Sequence, residues 1–224
     1  MDVRLSIENY IECKNVSLKD ERRQMLLNDI NLSLEKGKIY GIVGRNGSGK
    51  TMLFRTICGF WKPTAGEIWV DGKRIGKDIE FLQNAGVVIG ETNFLGGVSG
   101  FDNLMMLAEI NNKIQKEQVL EALEEVQLLK DKDKKYRRYS LGMKQKLRLA
   151  QAFMEKPEIL ILDEPFNGLD QESVEHIREL LLKQKDKGVT ILIASHIAED
   201  INVLCDEIYE MNLGRVERRK ESYE

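Results

Sequence analysis

Residues 44–51 read Gly44-Arg45-Asn46-Gly47-Ser48-Gly49-Lys50-Thr51, and they decide how the rest of the chain is read. The octet fits G-x-x-x-x-G-K-[ST]. Phosphate groups need a concave row of backbone N–H donors, and side chains at the glycines would block their approach. Lys50 is placed to reach β- and γ-phosphates, and the Thr51 hydroxyl to ligate Mg²⁺. The flanks suit that reading. Lys38–Val43 (KIYGIV) is an apolar run that predicts a buried strand before the loop. Thr51–Cys58 has apolar spacing that predicts a helix after it, capped by Gly59. Such a helix directs its positive N-terminus at the phosphates.

Working outward, residues 5–18 alternate loosely and break at the charged turn Lys19–Arg23, and Leu26–Leu34 is a second strand-like run. Lys62–Gly66 is a turn, and Glu67–Val70 followed by Asp71-Gly72 reads as a hairpin. From about 91 to 156 the pattern is helical. Ser99 with Asp102 resembles a capping box, and Val119, Ala122, Leu123, Val126 and Leu129 share one helical face. KDKDKKYRR (130–138) reads as a solvated loop or, alternatively, an electrostatic contact. A helix is expected from Ser140 to Glu155, ended by Pro157. Ile159–Leu162 has no alternation, as a strand buried on both faces requires. Ser173–Lys187 is an amphipathic helix with Gly188 as cap, Val189–Ala194 another buried strand, and the last strands run from about Ile208 to Glu217. Alternating buried strands and helices give an α/β fold with a largely parallel sheet. An antiparallel β subdomain lies at the N-terminal edge, and a helical subdomain is inserted. The expected organisation is one domain over 1–224, its core about 1–90 and 157–224 and its helical lobe about 91–156.

Composition bounds the function. The 224 residues are 42% hydrophobic and 32% charged, which excludes intrinsic disorder. A chain this long buries on the order of 70% of its unfolded surface, so no disulfide or metal staple is required. Thirty-four basic against thirty-seven acidic residues leave a net charge of -3, so no nucleic-acid partner is expected. No apolar run spans a bilayer, and MDVRLSIENY has no signal-peptide core. Cys13, Cys58 and Cys205 form no metal or disulfide pattern and are expected as buried reduced thiols.

Two further stretches carry chemistry. Ile159-Leu160-Ile161-Leu162-Asp163-Glu164-Pro165 ends a buried strand in carboxylates, at the sheet edge where ligands of open α/β sheets bind. Asp163 can hold Mg²⁺ through water. Glu164 is the candidate base that orients or deprotonates an attacking water. Tyr139-Ser140-Leu141-Gly142-Met143-Lys144-Gln145-Lys146 opens a helix, with Ser140 a natural N-cap.

Together these stretches resemble the nucleotide-binding subunit of ATP-binding-cassette (ABC) transporters over nearly the whole chain, with a P-loop NTPase core. That family orders its parts as phosphate loop, helical lobe, signature helix, Asp-Glu strand, D-loop and switch histidine. Here the signature falls on Tyr139–Met143, with Leu141 and Met143 in place of a glycine and the glutamine of L-S-G-G-Q. The S-L-G-M-K form is similar to the branch of drug-resistance, bacteriocin-immunity and peptide exporters. The D-loop falls on Asn167-Gly168-Leu169-Asp170 and the switch on His196. The resemblance implies an ATPase whose two copies, or one copy and a homologous subunit, sandwich two ATP molecules head to tail. Each ATP then lies between one phosphate loop and the other subunit's Ser140 and Gly142. Asp170 couples the two sites, and His196 contacts the γ-phosphate or the base. His176, within a helix, is expected to be solvated. ATP and Mg²⁺ are the implied cofactors and a separate transmembrane permease the implied partner, docked on about residues 91–112. The subunit is then cytoplasmic and peripheral on the inner face of the membrane, which it meets only through that partner.

Two departures stand out. Gly90 occupies the place of the family's Mg²⁺-sensing glutamine. Glu91 either takes over part of that role or is an exposed residue beside a glycine hinge. The family's adenine-stacking aromatic would fall at about Lys19–Arg22, where there is none. Arg22 or Arg23 stacking on the base is expected instead, with weakened choice of ATP over GTP. A soluble ABC ATPase serving assembly or regulation, of the iron–sulfur type for example, is the alternative. A P-loop kinase or GTPase leaves Ser140–Met143, Asp170 and His196 unexplained.

Overall fold

The computed structural model describes residues 9–90, 94–196 and 198–219. The chain forms two compact units, one comprising residues up to Gln83 and from Ala194 onward, the other Asn84–Ile193.

The first unit opens with β1 (Ile11–Lys19) and β2 (Met25–Leu34), antiparallel to one another. Ile11, Cys13, Val16 and Leu18 point inward from β1, so the loose alternation does give a one-sided strand, stepped by bulges. β3 (Ile39–Val43) leads into the phosphate loop, and α1 (Lys50–Ile57) leaves it. Leu53, Phe54 and Ile57 are fully buried on α1, each contributing about 1.5–3 kcal/mol of burial. β4 (Ala65–Val70) and β5 (Lys73–Arg74) form the expected hairpin about Asp71-Gly72 and complete an antiparallel sheet in the order β2-β1-β4-β5.

The second unit begins with β6 (Ala85–Val88), a strand that its residues do not announce. α2 (Gly100–Asn111) starts at Ser99, whose hydroxyl accepts from the Asp102 N–H at 3.0 Å. α3 (Lys116–Glu125) buries Val119, Ala122 and Leu123. Here the expected face shifts. Gln127 takes a left-handed φ of 56°, breaking the helical period, so Leu128 at 1% exposure replaces Leu129 inside. The basic stretch is not a free loop. Tyr136 is buried, its ring 5.3 Å from Phe94, and its N–H bonds the Val98 carbonyl at 2.9 Å while the charges flanking it face water. α4 (Leu141–Phe153), β7 (Ile159–Asp163), α5 (Gln171–Asp186) and β8 (Thr190–Ala194) follow as expected. β6 and β7 run parallel, with β8 beside β7.

The chain returns to the first unit through α6 (Ala198–Leu204), β9 (Glu207–Asn212) and β10 (Arg215–Arg218). β9 lies parallel to β3 and antiparallel to β10. The Leu213-Gly214 turn has φ of 45° and 77°, the two left-handed residues that a tight hairpin needs.

Two minor expectations are corrected. Cys13 and Cys58 are buried, but Cys205 is only partly so, because it follows the end of α6. His176 is only partly exposed. Its Nε2 donates to the Glu125 carbonyl at 2.6 Å, satisfying an acceptor near the C-terminal end of α3.

Candidate functional site

The phosphate loop occupies residues 44–49, between the carboxyl end of β3 and α1. Its shape comes from backbone that only glycine adopts without strain. Gly47 and Gly49 have φ of 80° and 113°. A Cβ at Gly44 would lie 2.3 Å from the Met211 carbonyl oxygen, and one at Gly49 3.0 Å from that of Leu26. Larger residues would therefore push the loop off β9 and β2. The C-terminal hairpin also fastens it, since the Gly214 N–H donates to the Ser48 carbonyl at 2.9 Å. Arg45, Asn46 and Gly47 are exposed at the rim.

Three observations show what the loop is built to hold. Gly49 is the N-cap of α1 and has no side chain to occupy the first N–H donors of that helix. Ser48 is buried at 6% exposure, and its Oγ has no hydrogen-bond partner among the described residues. Such an orphaned hydroxyl is costly unless a ligand supplies the bond. Lys50 is also buried, and its Nζ donates to the Gly44 carbonyl at 2.7 Å and that of Arg45 at 3.3 Å. The ammonium is thus folded into the loop's concavity. These features fit the phosphates of a nucleotide. Thr51 follows at the first turn of α1, and His196, in the same unit, is exposed just after β8.

The second unit gathers the other residues. Asp163 ends β7, and Asp163 and Glu164 are both half-buried. Glu164 has a left-handed φ of 53° although it is not glycine and precedes Pro165. Non-glycine residues held this way cluster at functional sites, where surrounding contacts over-determine them. Ser140 caps α4, its Oγ accepting from the Met143 N–H at 3.2 Å. Gly142 and Gly168 seat the start of α4 against the D-loop. A Cβ on Gly142 would fall 2.9 Å from the Gly168 carbonyl, and one on Gly168 2.5 Å from Leu141 Cγ. Asp170 is the N-cap of α5, accepting from the Ser173 N–H at 2.8 Å. The Ser173 backbone bond and then its hydroxyl hold the Asp170 carboxyl below the usual range. Thr51 and Asp163 are oxygen donors, one hydroxyl and one carboxylate. Each, in its own unit, is a hard oxygen donor of the kind Mg²⁺ takes. Glu91 lies outside the described residues.

Sequence reasoning missed Gln145. It is 4% exposed, and its Nε2 donates to the Pro165 carbonyl at 2.9 Å. Its signal was present: it shares a helical stripe with the buried Leu149 and Ala152, where a polar residue needs a partner.

The sequence pattern described as "ABC transporter" matches residues 27–167. The chain belongs to the ABC transporter family. It is 42% identical over 92% of its length to an uncharacterized ABC transporter ATP-binding protein, YybJ of Bacillus subtilis, covering 94% of that protein. It is 40% identical over 94% of its length to the bacitracin transport ATP-binding protein BcrA of Enterococcus faecalis, covering 68% of it. The fold is that of the ATP-binding cassette MJ0796, solved as a dimer in a post-hydrolysis state bound to ADP and Pi. The TM-score is 0.83 at 23% identity, covering 94% of this chain and 97% of that one. The chain is thus an ATP-binding ABC ATPase. Among the described residues, no helix is long and apolar enough to cross a membrane.

Proposed function

We propose that this ABC ATPase powers export through a separate transmembrane permease, working as one cassette over 1–224 with its core at about 1–90 and 157–224 and its lobe at about 91–156. The observation that carries the reading is the phosphate loop: an uncapped α1 N-terminus beside the in-turned Lys50 and the buried Ser48 Oγ, which has no partner among the described residues. Transport as the work done is supported by the likeness to a bacitracin transport protein, and export by the S-L-G-M-K signature. The docking face is assigned to the helical lobe, where Leu95, Met106 and Ile110 stand exposed at 55%, 44% and 77%. A subunit docked this way sits on the cytoplasmic face of the membrane.

In the proposed reaction the N–H row of residues 44–49 and Lys50 bind the phosphates. Thr51 and, through water, Asp163 would hold Mg²⁺, which would neutralise phosphate charge, and Glu91 would take over part of the role of the missing glutamine. Glu164 orients the attacking water and takes its proton. His196 steadies the γ-phosphate. Ser140 and Gly142, at the α4 N-terminus, contact the γ-phosphate held by a second copy, and Asp170 couples the two sites. Loss of the γ-phosphate removes those contacts and loosens the pair. The absence of an aromatic at Lys19–Arg22 leaves base recognition to Arg22 or Arg23, both exposed in the β1–β2 turn.

The test is Glu164→Gln. With Mg²⁺ and ATP, the variant should elute as a stable dimer on size exclusion and hydrolyse ATP at most about a hundredth as fast. A variant that stays monomeric at every ATP concentration with its permease present would sink the sandwich.

A further inference from the structure

Glu164 stands in a backbone conformation that its own sequence opposes. Left-handed φ is disfavoured for a residue with a Cβ. The following proline restricts its neighbour further and brings no N–H of its own to hold the turn. One backbone bond helps, from the Asn167 N–H to the Glu164 carbonyl at 3.3 Å. Further support comes from α4. Gln145 Nε2 donates to the Pro165 carbonyl at 2.9 Å and approaches that of Glu164 at 3.4 Å. Arg148, one turn further along the helix, donates from Nη1 to Gln145 Oε1 at 3.4 Å. With Oε1 turned to a cation, the amide NH₂ must face the two carbonyls.

We infer that Gln145 is a positioning residue: it clamps the Glu164–Pro165 segment, aims the carboxylate, and ties that aim to the start of α4. The interlock of Gly142 with the Gly168 carbonyl, and of Gly168 with Leu141, means that the first turn of α4 cannot shift without disturbing residues 164–168. In the proposed sandwich the start of α4 meets the nucleotide held by the other copy. Gln145 therefore reports the occupancy of that neighbouring site to the base of its own. The inference rests on the reading of Glu164 as the base.

Gln145→Met keeps length and packing and removes the donor. In the purified protein, kcat for ATP should fall about tenfold while KM and ATP affinity stay within about twofold. Arg148→Met, which frees the amide to turn, should lower kcat by about threefold in the same way. In a Glu164→Gln background, Gln145→Met should change the residual rate by less than about twofold, because a residue that acts through Glu164 has nothing left to position. Retention of kcat within twofold would overturn the inference, as would an equal loss in both backgrounds, the mark of a general scaffold role. If Gln145→Met does not fold, Arg148→Met carries the same two criteria. Full activity of Glu164→Gln by itself would fell the base instead, and the clamp with it, a result distinct from any given by the Gln145 and Arg148 variants.

Discussion

The phosphate loop and the turn after β7 both force the chain through left-handed backbone, and they do so by opposite means. The loop spends glycines at 47 and 49, and the working groups are the backbone N–H donors themselves. The turn must present a carboxylate, so it cannot use glycine at 164. It holds a strained glutamate with bonds from Asn167 and Gln145. Where the backbone is the reagent, conformation is free. Where a side chain is the reagent, conformation has to be enforced from outside.

Exchanging the two solutions breaks this contrast most sharply. Glu164→Gly should cut ATPase activity at least about a hundredfold and yet raise unfolding free energy by roughly 1 kcal/mol, the left-handed cost relieved less the extra freedom of the unfolded glycine. Steady-state hydrolysis and urea melts would read both, and a destabilised variant would contradict the strain. The reverse exchange, Gly49→Ala, adds a Cβ at φ 113° within 3.0 Å of the Leu26 carbonyl. It should weaken ATP binding about tenfold or more, measured by calorimetry, since a local backbone penalty of about 1–2 kcal/mol falls on the binding conformation.

Helix ends give a milder version. α1 is left uncapped for a ligand, whereas α4 is capped by Ser140. Ser140→Ala should therefore cost about 1 kcal/mol of stability, seen as a melting shift of about 2–4 °C. The smallest effect is alkaline. Burial pushes the Cys13 and Cys58 thiols up from 9.0 to about 12. Above pH 9 the unfolded chain releases those protons and the folded one does not, so stability should fall as pH rises from 9 to 12. Cys13→Ala should flatten part of that limb in pH-dependent melts. Below pH 9, alkylation should reach Cys205 first.

The elements nearest the chemistry were the most legible. β3, α1, β7 and β8 are short apolar runs or periodic segments punctuated by glycine, and Pro165 follows β7. What escaped has physical reasons. Ala85–Val88 is four residues with an Ala-Gly start, which strands rarely favour, and it is fixed by tertiary structure, in parallel pairing with β7. α6 is seven residues without an N-cap signal. Leu128 replaced Leu129 because a single left-handed residue reset the helical phase. The motif positions of the site could be read off spacing, but the strain at Glu164 and its clamp by Gln145 could not. Both depend on carbonyls brought to the helix by tertiary structure.

The bond from Gly214 to the Ser48 carbonyl sets an order of assembly. At ribosomal speeds, roughly 5–20 residues per second, many seconds pass between synthesis of the loop and of the hairpin that fastens it. A nascent chain carrying residue 51 but not yet residue 214 has the whole phosphate motif and lacks one of its fastenings. Until the distal hairpin has emerged and docked, the motif is complete in sequence but lacks the bond that the Gly214 N–H supplies to Ser48.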